Sequence, residues 1–326
     1  DRAREGARRE GRVFELHCGG RTDSASLARA IAAVRPDELY NLAGQSHVGV
    51  SFQQPEYTAD VCGTGVLRLL EALRAGRPEA RFYQASTSEL FGAAEESPQS
   101  EETPFCPRSP YAVAKLYGHF IARSYREGYG LHASCGILFN HESPRRGENF
   151  VTRKITLGLA RARVTGEGEL RLGNLDARRD WGHARDYVEL MWRMLQEQEP
   201  DDYVAATGVT HSVREFAEAA GAALGFDLAW EGQGPDELGR DRRSGRVLVR
   251  VDPRYYRPTE GPALVGDATK ARERVAWHPN VTFEELVVEM AEADLALARS
   301  PCAAAGSERT SRCRSCASVA TLLGGS

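Results

Sequence analysis

The sequence predicts an α/β protein that contains a doubly wound parallel sheet and a smaller α+β cap. In the first half of the chain, short apolar runs of strand length alternate with amphipathic helical patterns. In the second half this regularity drops, and loops rich in Arg, Asp, Gly and Pro separate the periodic segments. Strand–helix alternation with right-handed crossovers brings the carboxyl ends of the strands to one edge, where ligands bind.

The elements of the first half follow from their periodicity. Apolar residues at helical spacing mark the helices, and the longest helix begins at a proline and stops at a glycine. Continuous apolar runs mark strands that are buried on both faces. Strands are predicted over 12–18, 38–44, 81–87 and 132–140, and helices over 24–35, 61–76 and 110–130.

The second half contains one further strand, near 203–209, and two amphipathic helices, "SVREFAEAAGAAL" and "FEELVVEMAEADLALA". We predict a dinucleotide-binding domain over residues 1–148, joined by the returning strand, and a substrate-binding cap over 149–299. The last residues, 300–326, are small and polar and show no period, which predicts a disordered tail.

The composition excludes several classes of protein. The net charge of -4 argues against a nucleic-acid partner. No apolar run approaches the roughly 20 residues of a membrane helix, so no membrane partner is expected. Seven cysteines lie scattered, which favours reduced thiols and a cytoplasmic location. The lone CxxC at Cys313 and Cys316 is weak support for a metal site, and none is predicted.

Lysine is rare in this chain, and one lysine lies in a suggestive place. Only Lys115, Lys154 and Lys270 occur among 42 basic residues. In "SPYAVAK" (109–115), Tyr111 and Lys115 lie four apart on the predicted helix and share a face. An ammonium near a phenol favours the phenolate, which predicts a general base at Tyr111. The alternative is a surface helix with a stacked Tyr–Lys pair.

A hydroxyl and a carboxylate follow the strand 81–87. Thr87 and Glu89, in "QASTSELFG", are two residues apart, so an extended backbone would place both side chains on one face. At the end of a parallel strand they could hydrogen-bond a substrate oxygen and move a proton. The alternative is a turn closed by the threonine hydroxyl, leading into a loop.

Three further stretches suggest binding. Small residues follow a strand end in "YNLAGQSHVGVSF" (40–52), which would let a ligand approach the backbone. Arginines lie beside small polar residues in "LFNHESPRRGENFVTRK" (138–154) and "LGNLDARRDWGHARDYV" (172–188), and arginine forks suit a diphosphate. The alternatives are an ordinary strand–loop–helix connection and solvated loop charge.

These stretches, in this order, resemble the GDP-mannose 4,6-dehydratases, a group of extended short-chain dehydrogenase/reductases. The resemblance runs from Phe14 to Arg299 and includes "PEYTADV", "DPRYYRPTE" and "GDATKA". The Thr-x-Glu separates this group from related sugar-nucleotide epimerases. The resemblance implies a Rossmann-like fold, NADP as cofactor, and a dimer or tetramer of one chain. The implied activity is a hydro-lyase that converts GDP-mannose to GDP-4-keto-6-deoxymannose in GDP-fucose or GDP-rhamnose biosynthesis.

The resemblance also implies roles for individual residues. The catalytic group would be Thr87, Glu89, Tyr111 and Lys115. The cofactor would contact Leu42, Ala43, Gly44, Gln45, Ser46, Tyr57, Lys115, His141 and Arg146. The nucleotide sugar would contact Ser88, Asn149, Lys154, Arg179, Arg257 and Glu260.

The chain departs from the family's pattern near its start. The family has a GxxGxxG turn, which this sequence lacks, and a "GDL" turn where this chain reads "GGR" (19–21). The sequence is therefore expected to be N-terminally truncated, to bind NADP+ poorly as written and to show little activity. The alternatives are an inactive remnant that at most binds a GDP-sugar, or another sugar-nucleotide dehydratase or epimerase.

Overall fold

The structure, a computed structural model, describes residues 2–255, 263–300 and 318–322. The strands are β1 (Phe14–Cys18), β2 (Glu38–Asn41), β3 (Arg81–Ala85), β4 (Ala133–Leu138), β5 (Asn140–Glu142), β6 (Leu170–Leu172), β7 (Arg178–His183), β8 (Asp202–Ala205), β9 (Thr210–Ser212), β10 (Leu228–Glu231), β11 (Leu238–Asp241), β12 (Val247–Val251) and β13 (Ser318–Leu322). The α-helices are α1 (Arg2–Arg9), α2 (Ser24–Val34), α3 (Val48–Gln53), α4 (Pro55–Ala59), α5 (Gly65–Gly76), α6 (Pro110–Tyr129), α7 (Val151–Thr165), α8 (Ala184–Gln196), α9 (Val213–Ala223), α10 (Thr269–Val275) and α11 (Phe283–Arg299).

A parallel sheet with the order β2-β3-β4-β8 forms the centre of the fold. One face packs on α2, α5 and α6 through a core that includes Leu70, Leu73 and Phe82. The other face packs on α8 and α10, around Tyr83 and Trp277. Helices thus cover both faces, and the predicted doubly wound α/β class is confirmed. The central strands read as apolar runs because neither face meets water.

The first predicted strand does not join this sheet. Strand β1 pairs antiparallel with β13, and Phe14 lies opposite Leu322. The sequence analysis took 12–18 as a strand of the parallel sheet, and that placement is wrong. Glu15 and His17 interrupt the apolar residues of β1, so it lacks the continuous apolar run of a strand that is buried on both faces.

A second core lies in the later part of the chain. Helices α7, α9 and α11 pack together around buried residues that include Trp181, Phe216 and Leu286. A mixed sheet with the order β10-β11-β12-β6 borders this core, and the three-stranded sheet β5-β7-β9 lies beside it. The buried Arg153 donates its Nε–H to Asp294 of α11 at 2.7 Å. The predicted domain limits at residues 148 and 299 stay predictions.

Three boundaries differ from the sequence prediction. The helix predicted over 61–76 begins as a π-helical turn, Asp60–Thr64, before α5. The strand predicted near 203–209 ends at Ala205. The tail predicted to be disordered, 300–326, contains the described strand β13, while most of the rest of it lies outside the described residues.

None of the helices in the described ranges is long and apolar enough to cross a membrane.

Candidate active site

The Thr87–Glu89 segment forms a turn at the carboxyl end of β3. The strand ends at Ala85, and Thr87 begins a short 3₁₀ helix over Ser88–Leu90. The Glu89 N–H donates to Thr87 Oγ1 at 3.3 Å, which is the threonine-closed turn that was the alternative interpretation. The same-face argument from an extended strand is therefore wrong. The turn nonetheless brings Thr87 into a hydrogen bond with Tyr111 and Glu89 into its electrostatic surroundings.

Tyr111 and Lys115 lie in the first turns of α6. Ser109 caps this helix, its Oγ accepting from the Ala112 N–H at 3.1 Å, and Pro110 occupies the first turn. Tyr111 is 8% exposed and Lys115 is 7% exposed, so the alternative of a surface Tyr–Lys pair is wrong. Lys115 Nζ lies 5.9 Å from the centroid of the Tyr111 ring and donates to the Ala85 carbonyl at 2.8 Å. The lysine therefore ties α6 to the end of β3.

Burial dominates the electrostatics of this pair. It raises the pKa of the Tyr111 phenol above its ordinary value, and the hydrogen bond from Thr87 and the charge of Arg146 oppose that rise. Burial also lowers the pKa of Lys115 to about 8. The sequence analysis expected Lys115 to lower the phenol's pKa. In the structure its ammonium is bonded to a backbone carbonyl instead, and Arg146 is the cation that favours the phenolate.

The predicted cofactor residues 42–46 follow β2 directly. They lie at the carboxyl edge of the parallel sheet, where doubly wound folds bind nucleotides. Gly44 has a φ of 148°, and a Cβ there would lie 3.0 Å from Cys62 Sγ, so only glycine fits without strain. Cys62 donates its S–H to the Gln45 carbonyl at 3.2 Å. Leu42 and Ser46 are exposed in this turn, and Tyr57 of α4 is exposed beside it.

His141 and Arg146 reach the same region from β5 and the turn after it. His141 stacks on Tyr187 with ring centroids 4.9 Å apart, and burial lowers the pKa of its imidazole to about 4. Arg146 Nε lies 3.1 Å from Glu142 Oε2, and its Cζ lies 3.7 Å from the centroid of the Phe150 ring. Arg146 also acts electrostatically on both Tyr111 and His141, so these side chains share one site.

The predicted substrate residues are spread more widely. Ser88 is buried in the turn beside Thr87, and Asn149 is exposed just before α7. Lys154 Nζ lies 3.5 Å above the Tyr255 ring, and burial lowers the pKa of its ammonium. Arg179 lies in β7 and donates to the Arg178 carbonyl at 2.7 Å. Arg257 and Glu260 lie outside the described residues.

Sequence reasoning missed buried polar residues beneath the site. Arg21, Asn41 and Gln84 are each at most 6% exposed, and Cys62 packs under Gly44. A usable signal existed for two of them, because Asn41 and Gln84 interrupt the apolar runs of adjacent predicted strands near their carboxyl ends. Within the described part of the chain, no group of three or more His, Cys, Asp or Glu side chains could hold a metal ion.

A protein-family model described as GDP-mannose 4,6 dehydratase matches residues 2–290. The GDP-mannose 4,6 dehydratase of Drosophila melanogaster is 56% identical over 292 residues, which are 89% of this chain and 74% of that protein. The Vibrio cholerae enzyme is 54% identical over 298 residues, covering 88% of this chain and 80% of its own length. The Homo sapiens enzyme is 54% identical over 288 residues, which are 88% of this chain and 77% of that protein.

Solved structures share the fold. RMD from Pseudomonas aeruginosa, complexed with NADPH, superposes with a TM-score of 0.73 at 22% identity, covering 86% of this chain and 88% of that one. The dTDP-glucose 4,6-dehydratase of Bacillus anthracis, in complex with NAD, has a TM-score of 0.67 at 21% identity, with coverages of 84% and 78%. The family model spans most of the chain, and relatives more than half identical cover nearly nine tenths of it: this protein belongs to the GDP-mannose 4,6-dehydratase family.

Proposed function

We propose that this protein is a hydro-lyase that converts GDP-mannose to GDP-4-keto-6-deoxymannose, with NADP as its cofactor. The observation that carries the proposal is the convergence of Thr87, Glu89, Tyr111 and Lys115 at the carboxyl edge of the sheet, in a chain 54–56% identical to GDP-mannose 4,6-dehydratases. The product would enter the synthesis of GDP-deoxyhexoses such as GDP-fucose or GDP-rhamnose.

Two side chains would divide the proton transfers, and a third would hold the substrate oxygen. Tyr111 takes the proton of the mannose 4-hydroxyl, while Thr87, hydrogen-bonded to Tyr111, holds the same oxygen. A nicotinamide cofactor, when bound, would supply the hydride acceptor for C4 and the hydride donor for C6. The C4 ketone acidifies C5–H, and Glu89 removes that proton and passes it to the C6 hydroxyl, which leaves as water. The Tyr111 phenol then returns its proton to C5. Hydride and protons balance, so the reaction consumes no reductant.

The charge of Arg146 offsets part of the cost of ionising the buried Tyr111 phenol. Ionising Tyr111 in a low-dielectric site is unfavourable, as its raised pKa shows, and Arg146 is the neighbour whose charge opposes that cost. Lys115 is held by the Ala85 carbonyl, so its ammonium keeps a fixed place beside Tyr111. We assign Lys115 to orienting the cofactor.

The residues around Gly44 fit the nicotinamide side of a dinucleotide. The strand end has no side chain at Gly44, and Lys115, His141 and Arg146 lie near Tyr111 at the same edge. Leu42, Ala43, Gln45, Ser46 and Tyr57 would complete these contacts. The choice of NADP over NAD belongs to this proposal and is tested by comparing the affinities of the two cofactors.

The nucleotide half of the substrate would lie over the cap. We propose that Ser88, Asn149, Lys154 and Arg179 contact the GDP-sugar, with Arg257 and Glu260 from the segment outside the described residues. Lys154, held over Tyr255, and Arg179 supply positive charge for a diphosphate.

Self-association in the cytoplasm is part of the same proposal. Val113, Tyr117 and Phe120 are 55%, 45% and 49% exposed and lie at i, i+4 and i+7 on α6, which makes one apolar face. A dimer or tetramer would cover such a face. Sedimentation of the purified protein tests this directly.

The test of the activity is product analysis. The protein is incubated with GDP-mannose and NADP+, and separately with UDP-glucose and dTDP-glucose. We expect only GDP-mannose to give a product lighter by one water with a C4 ketone, and no net NADPH. A product of unchanged mass would indicate an epimerase, conversion of another sugar nucleotide would indicate a different dehydratase, and binding without conversion would indicate a remnant.

A further inference from the structure

A continuous line of buried hydrogen bonds joins Arg21, in the turn after β1, to Lys115 on α6. Arg21 Nη1 donates to Asn41 Oδ1 at 2.6 Å, and Asn41 Nδ2 donates to Gln84 Oε1 at 2.6 Å. Gln84 Nε2 then donates to the Ala85 carbonyl at 3.1 Å, where Lys115 Nζ also donates at 2.8 Å. Asn41 and Gln84 are direct partners in the β2–β3 register, so the line crosses the sheet at one level.

The chemistry of Arg21 fixes the direction of this line. A guanidinium has donors only, so Asn41 must turn its oxygen toward Arg21 and its amide nitrogen toward Gln84. Gln84 must then accept from Asn41 and donate to the Ala85 carbonyl. That carbonyl has two lone pairs and receives one N–H from Gln84 and one from Lys115. Each amide orientation thus follows from the residue at position 21.

The four side chains of the line are buried. Arg21, Asn41, Gln84 and Lys115 are 6%, 3%, 1% and 7% exposed, so water does not replace a lost partner. Arg21 Nη1 also donates to the Ala43 carbonyl at 2.7 Å, while its Nε and Nη2 have no hydrogen-bond partner in the described part of the chain. Space for the guanidinium comes from Gly65, where a Cβ would lie 2.8 Å from Arg21 Nε.

We propose that Arg21 is a positioning residue: by orienting the amides of Asn41 and Gln84 it fixes the Ala85 carbonyl and, through that carbonyl, the place of Lys115 beside Tyr111. The consequence for catalysis rests on the proposed dehydratase function. The consequence for Lys115 itself does not, since it is a matter of hydrogen bonding within the folded chain. Arg21 lies in the "GGR" turn, where the family has "GDL". The proposal therefore gives a role to a residue at which this chain departs from the family's pattern.

The surroundings of Lys115 can be followed by NMR, because the sequence contains only three lysines. Selective ¹³C labelling of lysine gives side-chain signals from Lys115, Lys154 and Lys270 alone, and the last two report whether the fold is intact. The variants are Arg21→Met, Gln84→Met and the double variant. Arg68→Met is the matched control, since Arg68 donates to the Arg21 carbonyl and pairs with Asp60 but takes no part in the line.

The double variant separates the proposal from a simple loss of charge. Arg21 also acts on Lys115 through its charge, so a small direct effect is expected in both backgrounds. We expect Arg21→Met to shift the Lys115 Cε signal in the wild-type background and to shift it clearly less when Gln84 is already Met. Arg68→Met should leave the Lys115 signal unchanged. An equal shift in both backgrounds would mean that Arg21 acts through space, and no shift in either would mean that it does not act on Lys115. Either result overturns the proposal. If Arg21→Met disturbs the Lys154 and Lys270 signals, Asn41→Leu makes the same test.

Turnover provides the second readout. With the proposed activity, Arg21→Met should lower kcat by about tenfold to a hundredfold and leave the KM for GDP-mannose near that of the wild type, because a misplaced ammonium affects chemistry rather than substrate contacts. A rise in KM with unchanged kcat would contradict the assigned role. If the wild-type protein does not convert GDP-mannose at all, the function fails, while the lysine signals still decide whether Arg21 positions Lys115.

Discussion

The two sides of the main sheet differ in how firmly they are packed. Strands β4 and β8 are buried along their whole length, and α6 packs across β4. On the opposite side β2 is only partly buried, and β1 pairs with β13 outside this sheet. The proposed proton-transfer groups belong to the first region, on the turn after β3 and the start of α6. Most of the proposed cofactor contacts follow β2 in the second.

This difference in packing predicts that substitutions in the two regions differ in their effects on protein stability and on cofactor binding. In the packed region, side chains that carry chemistry also bond to the strands that form the core, as Lys115 does with Ala85. Near β2 the side chains of Leu42 and Tyr57 are half exposed, so their loss should leave the fold intact. Substitutions in the packed region should therefore affect folding, turnover or both, while those of the exposed side chains that follow β2 should affect the cofactor alone.

The largest effect is expected for Tyr111→Phe. Removing the phenol oxygen removes the general base, and turnover should fall by about 10²- to 10⁴-fold while GDP-mannose still binds. Tyr129→Phe, at the exposed end of the same helix, is the control and should keep wild-type turnover. Steady-state rates and GDP-mannose titration measure both, and normal turnover in Tyr111→Phe would remove the tyrosine from the mechanism.

The next effect concerns a buried ion pair between α6 and β8. Arg126 donates to both carboxylate oxygens of Asp202, at 2.9 and 3.1 Å, and the two side chains are 14% and 10% exposed. Arg126→Met leaves a buried carboxylate unpaired and should cost about 3–5 kcal/mol of the free energy of unfolding.

The control on the same helix is Arg123→Met, which breaks an exposed pair with Glu127 and should cost at most about 0.5 kcal/mol. Urea denaturation compares the two variants. Equal losses in the free energy of unfolding would show that the buried ion pair contributes no more to stability than the exposed pair does.

A truncation in each region compares the strands directly. Ile137 in β4 is 1% exposed, and Ile137→Ala should cost about 2–5 kcal/mol. Leu16 in β1 is 48% exposed, and Leu16→Ala should stay within about 0.5 kcal/mol. The melting temperatures of the two variants show which strand contributes more to stability. A larger fall in melting temperature for Leu16→Ala than for Ile137→Ala would contradict the comparison.

The smallest effect is the pH dependence that Asp202 contributes. Burial acts to raise the pKa of this carboxyl, but the hydrogen bonds from Arg126 and the charge of the nearby His119 outweigh it, so the pKa lies below its usual value. Its stabilisation is present above the unfolded pKa of about 4 and is lost as the pH falls through the lower folded pKa. Asp202→Asn should flatten the acid limb of stability against pH. An unchanged limb would exclude this carboxyl as its source.

The hydrophobic pattern of the sequence was sufficient to predict the type and order of the elements in the packed region. The strands around Phe82 and Ile137 are apolar runs, and α6 has both a proline start and a glycine stop, so their type and order were predicted and confirmed. Tyr111 and Lys115 were predicted to share a helix face, and the structure places them together. The resemblance predicted the family, which the comparisons confirm.

What was missed depends on contacts between distant parts of the chain. Period two placed Thr87 and Glu89 on a strand, but local hydrogen bonding by the threonine hydroxyl ended the strand two residues earlier. Nothing in a linear pattern shows that Lys115 would bond to a strand carbonyl rather than lie against the Tyr111 oxygen. The pairing of β1 with β13 likewise joins residues that lie far apart in sequence.

The most direct test of the proposed chemistry follows the C5 proton. GDP-mannose and NADP+ are incubated with the protein in D2O, and deuterium at C5 is measured by NMR in the wild type and in Glu89→Gln. The amide keeps the shape of Glu89 but accepts no proton, while Tyr111 still starts oxidation at C4. We expect C5 deuterium with the wild type and none with Glu89→Gln. Equal incorporation in both would show that Glu89 is not the base, and that the turn after β3 does not act as assigned.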